Sequence, residues 1–437
     1  NSEGNEGSGF ATMGAPSGGQ GILSVGASTN MHYRVDPWHN YDGGPNPWHG
    51  DVPSMSSRGP DCIGGHSVDI LANGQFGYGG DPLNNHAYST GVFNGTESWY
   101  LWSGTSLSAP NAAGVATLVY QAYWETHGTR PTAQQIKEFV MQGADDIKNS
   151  AFIQGPGIAN ATKAIELAIK SDGLMVSDTH EWRPGTNPTT GDSTEHHVNM
   201  MYPGGRVQDK FTLENRNSTH NVNYSMEAVH LEKVGENHIE LDSRTTDLTP
   251  YGLPFGTGPQ PVLIINETGM WYPNGTFAGS LDAQGADLIR FGIHTPYSEI
   301  KMIDPAFGIQ RQAFLEFHDW TDVNDNGSYD GFSERNRIGY IWIASGEYGP
   351  DQTSSYMELS DLQTRSHDGI ALRARPLVVA PEAFGGGPIP FTLTIEHFNE
   401  TTWDWVSIDN STGTIHSDDS VDFNLTAVVP NDAPAGL

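Results

Sequence analysis

The sequence predicts a mixed α/β domain followed by β-sandwich modules. Up to about residue 172, glycine-rich loops separate short apolar strands from segments with helical periodicity. From about residue 201, apolar and polar residues alternate between Gly, Pro and Asn turns, which is typical of β-sandwiches. We therefore expect an α/β domain at 1–172, a linker at 173–200, a β-sandwich at 201–369 and a second, truncated sandwich-like module at 370–437.

The first part contains one strand pattern and three helix patterns. Glycines bound the apolar run at 21–27, which predicts a buried strand. Residues 108–124 are apolar on nearly every side, so we expect this helix to be buried. Thr132, with Gln135 three residues later, has the pattern of a capping box and starts a second helix. The third helix is predicted at about 160–169.

The second part has the period of two that strands require. Apolar side chains fall on one face in three predicted strands: Val222, Tyr224 and Met226; Phe391, Leu393 and Ile395; Val421, Phe423 and Leu425. The sequence ends where we expect another strand to begin.

Charge and composition restrict the partners and the location. Asp and Glu number 52 against 21 Lys and Arg, and the formal net charge is −31. Such a surface repels phosphate backbones and argues against nucleic acid as a partner. The apolar runs are too short for a membrane span, and the single Cys62 excludes an internal disulfide. Asn-x-Ser/Thr motifs concentrate after residue 200, which favours an extracellular or envelope-associated protein.

The strongest chemical signal lies at residues 103–110 (SGTSLSAP), directly before the predicted buried helix. Ser106 would lie at a helix N-terminus, where open N–H groups and the positive end of the dipole favour developing negative charge. The alternative is a Gly-Thr-Ser turn in which Ser106 only caps the helix.

The wider context distinguishes these alternatives. Residues 103–110 resemble the nucleophile motif of subtilisin-like serine peptidases, the subtilases. Five further segments resemble motifs of the same family, in the same order: 4–7 (GNEG), 24–27 (SVGA), 56–60 (SSRGP), 68–74 (VDILANG) and 155–161 (GPGIANA). Residues 12–16 (TMGAP) and the Ser-Ala-Pro-Asn variant at 108–111 resemble the pyrolysin and tripeptidyl-peptidase II branch. The resemblance implies an α/β subtilisin-like fold for 1–172.

The resemblance also implies the site. Ser106 would be the nucleophile that attacks peptide bonds of polypeptide substrates, and Asn5 would donate to the oxyanion. In this family the catalytic Asp and His precede the oxyanion Asn, so we expect both before Asn1, and residues 1–437 alone lack a complete triad. His127 imitates the His-Gly-Thr motif but follows the nucleophile, so we reject it. Whether the enzyme is an endopeptidase or releases tripeptides stays open.

Glu3 takes a position where the family usually has a small residue beside the substrate cleft. A carboxylate there would favour a basic side chain or a free amine of the substrate. The alternative is a solvated carboxylate at the edge of the cleft.

A second pattern of oxygen side chains predicts structural Ca²⁺. Asp322, Asn324, Asn326, Ser328 and Asp330 follow the spacing of the first nine positions of a calcium loop, with Gly327 at the sixth. Position 12 is Ser333 instead of Glu, so the match is partial and closer to short loops between strands. The alternative is an ordinary Asn/Asp/Gly turn.

One other function agrees with the same residues. The protein would then be a catalytically inactive subtilase-like protein whose β modules bind envelope, glycan or protein partners. The presence of both Ser106 and Asn5 favours the enzyme, because a scaffold needs neither.

Overall fold

The structure is a computed structural model. It describes residues 1–7, 9, 11–19, 21–29, 52–53, 55–61, 68–75, 77–80, 99–177, 201–242, 263–266, 269–271, 277–281, 285–296, 311–320, 335–344, 354–360, 369–378 and 390–433.

The first part of the chain is an α/β domain. Its buried strands β1 (Val25–Ser28) and β2 (Ile70–Asn73) pair in parallel. Single parallel bridges extend the pair, one from Ser2 to Val25 and one from Leu71 to Ile158. Strands β3 (Gly77–Gly80) and β4 (Trp99–Trp102) form a separate antiparallel pair. The parallel pairing agrees with the predicted α/β class.

In the part of the chain that the structure describes, four helices accompany these strands: α1 (Thr105–His127), α2 (Ala133–Gln142), α3 (Ala151–Gln154) and α4 (Ala161–Ile169). The predicted capping box is present, since Thr132 Oγ1 accepts from the Gln135 N–H and the Gln135 side chain accepts from the Thr132 N–H. Asn160 caps α4 in the same sense by accepting from the Lys163 N–H. Helices α1, α2 and α4 pack with β1 and β2 around one core: Val25, Ile70, Ala112, Val119, Phe139, Val140 and Leu167.

Helix α1 is less buried than its composition predicts. Its inner face is covered, and Ala112 and Val119 are fully buried. Its outer face is open: Leu118 is 49% exposed and Trp124 is 50% exposed. A Cβ added at Gly114 would meet no atom within 4 Å. The prediction of an all-round buried helix is therefore wrong for the described residues, because nothing among them covers the outer face.

The rest of the described chain is built of antiparallel strands. They are β5 (Leu174–Ser177), β6 (Arg206–Asn215), β7 (Val222–Ser225), β8 (Val229–Asp242), β9 (Leu263–Asn266), β10 (Gly269–Trp271), β11 (Phe277–Gly279), β12 (Leu288–His294), β13 (Arg311–Trp320), β14 (Arg335–Ala344), β15 (Ser354–Ser360), β16 (Gly369–Val378), β17 (Pro390–Thr402), β18 (Val406–Ile408), β19 (Thr412–Ile415) and β20 (Ser420–Val428).

Two of the sheets share one hydrophobic core. A six-stranded sheet has the order β11-β10-β9-β16-β13-β14, and a four-stranded sheet has the order β15-β12-β17-β8. Buried side chains of both sheets meet in this core, including Leu263, Phe317, Phe291 and Leu393. We call these two sheets (β8–β17) the large module. The predicted alternation is present in β17, where Phe391, Leu393 and Ile395 are buried.

A second, smaller core joins strands from both ends of the β region. Strands β18-β20-β6-β5 form one sheet, and β7 pairs with β19. Phe211, Tyr224, Ile415 and Phe423 pack together there. We call these strands (β5–β7 and β18–β20) the small module. The large module is thus inserted into the small module between β7 and β18.

This pairing differs from the predicted division at residues 369 and 370. That boundary falls at the start of β16, which pairs along its whole length with β13 of the large module. The predicted linker at 173–200 also begins within folded structure, because β5 pairs with β6; residues 178–200 lie outside the described residues. A local sequence pattern predicts each strand but carries no information on distant pairing, which explains both differences.

Among the described residues, no helix combines the length and the apolar character that crossing a bilayer requires.

Candidate active site

Ser106 is the second residue of α1 and is exposed to solvent. The helix begins after Gly104, whose φ of 134° favours glycine. A Cβ at this position would also come within 3.3 Å of Asn5 Nδ2. Ser106 therefore lies in the first turn of the helix, at the positive end of the helix dipole.

Asn5 is held against the same helix end. Its Oδ1 accepts hydrogen bonds from the Thr105 backbone N–H (2.8 Å) and from the Thr105 hydroxyl (3.1 Å). The Thr105 hydroxyl in turn accepts from the Gly4 N–H at 3.3 Å. With the amide oxygen bound in this way, the Nδ2 group is the donor that Asn5 can offer to a ligand. Asn5 is itself exposed, so a polypeptide can reach it.

A second segment supports the residues on both sides of Asn5. The Ser57 N–H donates to the Gly4 carbonyl at 3.1 Å, and the Ser57 hydroxyl accepts from the Glu6 N–H at 3.1 Å. The Gly7 N–H donates to the Met55 carbonyl at 3.0 Å. We call residues 4–7 the Asn5 loop. The sequence motifs contain Thr105 and Ser57, but motif spacing alone does not reveal that these two side chains fix the loop.

Glu3 lies neither beside the substrate cleft nor solvated at the edge of the cleft, the two positions that the sequence predicts. It is fully buried, and its Oε1 accepts a hydrogen bond from the Ser56 hydroxyl at 2.6 Å. Burial raises the pKa of the Glu3 carboxyl well above its ordinary value of 4.5, although the Ser56 bond and the charge of Arg58 act in the opposite direction. The side chain therefore lies behind the Asn5 loop, next to β1, where a Cβ at Gly26 would approach Oε1 to 2.8 Å.

Replacing Glu3 by glutamine should reduce the pH dependence of stability. Above pH 4.5 the unfolded chain ionises Glu3 while the folded protein keeps it protonated. The free energy of unfolding then falls as pH rises, by up to about 1.4 kcal/mol per pH unit, until the folded carboxyl also ionises. Glutamine keeps the shape and carries no charge, so its stabilising effect should grow as the pH rises above 4.5.

Thermal unfolding of the intact protein across this range measures the effect. The exposed Glu125 on α1 supplies the control, since Glu125→Gln removes a carboxylate without changing a buried group. If the difference in melting temperature between wild type and Glu3→Gln stays constant as the pH changes, the folded protein does not hold Glu3 protonated.

Asp69 is part of a buried ion pair. The Lys137 ammonium lies 3.1 Å from Asp69 Oδ2, and the two side chains are 10% and 3% exposed. Asp69 Oδ2 also accepts from the Ser24 N–H at 2.6 Å, and Lys137 donates to the Ile22 carbonyl at 2.8 Å. These contacts fasten α2 to the strand region and give Asp69 a structural role.

His127 lies at the far end of α1 from Ser106. The 23-residue helix places the two residues roughly 30 Å apart. His127 Nε2 also contacts the Ala168 carbonyl at 2.9 Å. The rejection of this His-Gly-Thr sequence as the catalytic motif therefore agrees with the geometry.

One sequence prediction falls outside the described residues, namely the calcium loop with Asp322, Asn324, Asn326, Ser328 and Asp330. The strands that flank this loop, β13 and β14, pair with each other in antiparallel fashion, so the loop joins two neighbouring strands. Within the part of the chain that the structure describes, no group of three or more His, Cys, Asp or Glu could hold a metal ion.

Comparison with known proteins finds similarity in the first part of the chain. Residues 1–160 match the Peptidase S8 family, the subtilases. Similar solved structures include a lanthipeptide protease (22% identity, TM-score 0.29, covering 38% of this chain and 49% of that chain). They also include the patellamide maturation protease PatA (24%, 0.26, 38% and 49%) and sphericase (22%, 0.24, 36% and 46%). The chain spans about half the length of these structures. The comparison with curated proteins finds no match.

Proposed function

We propose that this chain carries the nucleophile and the oxyanion donor of a subtilase-type serine peptidase that hydrolyses polypeptides. One observation supports this above the others: Thr105, the residue before Ser106, holds the amide oxygen of Asn5. The side chains of Ser106 and Asn5 are both exposed to solvent. A cap or a turn would require only Ser106, whereas acyl transfer requires a nucleophile beside a fixed amide donor.

The reaction follows from this arrangement. Ser106 Oγ attacks the peptide carbonyl carbon while its proton passes to a histidine. The carbonyl oxygen becomes an oxyanion that accepts from Asn5 Nδ2 and from the Ser106 N–H. Collapse of this intermediate releases the amine, which takes the proton from histidine. Water then hydrolyses the acyl-enzyme by the same steps in reverse order.

The histidine and its aspartate, in this proposal, come from chain that precedes Asn1, as the order of residues in the family implies. The open outer face of α1 supports a further packing partner in the same domain. Leu118 and Trp124 are large apolar side chains that lie about half exposed there. Packing these side chains against a further element of the domain would remove apolar surface from water.

The finer assignments rest on sequence. The pyrolysin and tripeptidyl-peptidase II branch is proposed from the variant at residues 108–111. An extracellular or envelope location is proposed from the Asn-x-Ser/Thr motifs, and a β-sandwich architecture from the alternating strands. Cleavage of substrates with blocked amino termini would identify an endopeptidase, and strict dependence on a free amine would identify a tripeptide-releasing exopeptidase.

The direct test of the proposed function is covalent labelling. The intact protein should react with a fluorophosphonate, which phosphonylates an activated serine, and peptide mass mapping should place the adduct on Ser106. A label on another serine would remove Ser106 from the proposed role.

We also propose that residues 322–330 bind structural Ca²⁺. A hard cation needs several oxygen ligands on a tightly turning backbone, and this spacing supplies them. Chelation by EDTA should lower the melting temperature of the intact protein, and added Ca²⁺ should restore it. Asp322→Ala should melt at the lower temperature with or without EDTA. If EDTA lowers the melting temperature of both proteins equally, the ion is bound elsewhere.

A further inference from the structure

The large module contacts the α/β domain through a buried cation. Arg58 is 1% exposed although it is one of the largest side chains of the domain. Its Nη1 donates to the Tyr356 carbonyl of β15 at 2.6 Å, and its guanidinium carbon lies 4.7 Å from the centre of the Tyr356 ring. Tyr356 is 6% exposed and packs with Leu71 and Ile153 of the α/β domain. A buried guanidinium needs both hydrogen bonds and a polarisable surface, and Tyr356 supplies one of each.

A second contact fixes β15 in this place. Glu358, two residues after Tyr356, accepts from the Ser150 N–H of the α/β domain at 3.0 Å. The same carboxylate pairs with Arg290 at 2.7 Å, and the Arg290 guanidinium lies 5.3 Å from the Tyr356 ring. Glu358 thus bonds to Ser150 of the α/β domain and to Arg290 of the large module, and these two contacts fix the position of Tyr356 over Arg58.

Hydrogen bonds through Thr12 and Ser57 connect Arg58 to the Asn5 loop, and Thr12 Oγ1 donates to the Gly7 carbonyl of that loop at 3.0 Å. The Arg58 N–H donates to Thr12 Oγ1 at 2.9 Å, and its carbonyl accepts from the Thr12 N–H at 3.0 Å. Ser57, the preceding residue, bonds Gly4 and Glu6 on either side of Asn5. A displacement of Arg58 would therefore move Ser57, and with it the backbone on both sides of Asn5.

We propose that Tyr356 is a positioning residue of the peptidase reaction, acting through Arg58 and Ser57 on the Asn5 loop. In this proposal the large module helps to position the active site and is not a separate binding unit. This inference rests on the proposed function, because it concerns the oxyanion donor of that reaction. Without the ring of Tyr356, the buried guanidinium loses the surface it lies on and moves towards water, and Ser57 moves with it. A misplacement of about 1 Å can cost up to about 100-fold in rate.

The experiment compares three variants of the intact protein. Tyr356→Phe keeps the ring and should behave as wild type. Tyr356→Ala removes the ring, and Tyr356→Leu removes it while retaining apolar contact with Leu71 and Ile153, which guards against loss of folding. Fluorophosphonate titration counts the active sites, so that kcat is obtained per site. We expect both ring-deleting variants to lower kcat per site about 10- to 100-fold with KM nearly unchanged.

A double-mutant cycle separates positioning from general destabilisation. In an Asn5→Ala background the donor is absent, so Tyr356→Leu should change kcat per site by less than about twofold. An unchanged kcat per site in Tyr356→Leu, or an equal loss with and without Asn5, would overturn the inference while leaving the proposed function intact. A wild-type protein that neither reacts with the fluorophosphonate nor cleaves peptides would overturn both.

Discussion

Replacing Ser106 by alanine should abolish both fluorophosphonate labelling and peptide hydrolysis by the intact protein. In the proposed reaction, the substitution removes the atom that forms the acyl bond. The expected loss in kcat is about 10⁶-fold, a size known for subtilisin itself and carried over from it. The melting temperature should change little, because Ser106 is exposed.

Ser108 provides the matched control for this experiment. It lies two residues further along α1 but is fully buried, and its hydroxyl makes no hydrogen bond within the described residues. Ser108→Ala should therefore retain labelling and turnover. Labelling that survives Ser106→Ala would exclude Ser106 as the nucleophile. A wild-type protein that is never labelled would favour the inactive alternative, in which the β modules bind a partner.

Replacing Asn5 by alanine should lower kcat strongly and leave KM nearly unchanged. The amide donor of Asn5 becomes useful only when the carbonyl oxygen acquires charge, so its loss raises the barrier without weakening substrate binding. The expected reduction is about 10²- to 10³-fold, which is the known effect of the corresponding change in subtilisin and is not an independent estimate. Active-site titration should still find a labelled Ser106, because the nucleophile is retained.

Asn111 is the control for loss of an amide near the site. It lies on α1 one turn beyond Ser106, and its side chain donates to the Asn73 and Leu107 carbonyls. Asn111→Ala should leave kcat within a few-fold of wild type. If Asn5→Ala raises KM with kcat unchanged, Asn5 contributes uniform substrate binding and is not the oxyanion donor.

The sequence predicts the local elements of the site well. The helix predicted at 108–124 is present as α1, which begins three residues earlier, at Thr105, directly after Gly104. The capping box at Thr132 and Gln135 forms as expected, because both of its bonds join residues three apart. The alternation in β17 gives the correct buried face, since the period of a strand fixes which residues share a side.

Burial and pairing are harder to predict, because they depend on distant residues. Nothing in the local sequence shows that Glu3 lies beneath Ser56, which follows it by more than fifty positions. The sequence also does not show that one face of α1 is exposed, because the composition of the helix is the same whether or not a partner covers that face. The contact between Arg58 and Tyr356 joins residues 298 positions apart, and the subtilase motifs extend no further than the first part of the chain.

The insertion of the large module into the small one sets an order of assembly during synthesis. As the chain leaves the ribosome, β6 and β7 emerge long before their partners β20 and β19. The small module must wait for the whole large module to be made before its sheets can close, and such non-local pairing is slow to form. The two connecting segments meet where the Trp403 N–H donates to the Ala228 carbonyl at 2.8 Å. We therefore expect a folded large module to bring the late strands back to the early ones, and the small module to be the last of the β structure to form.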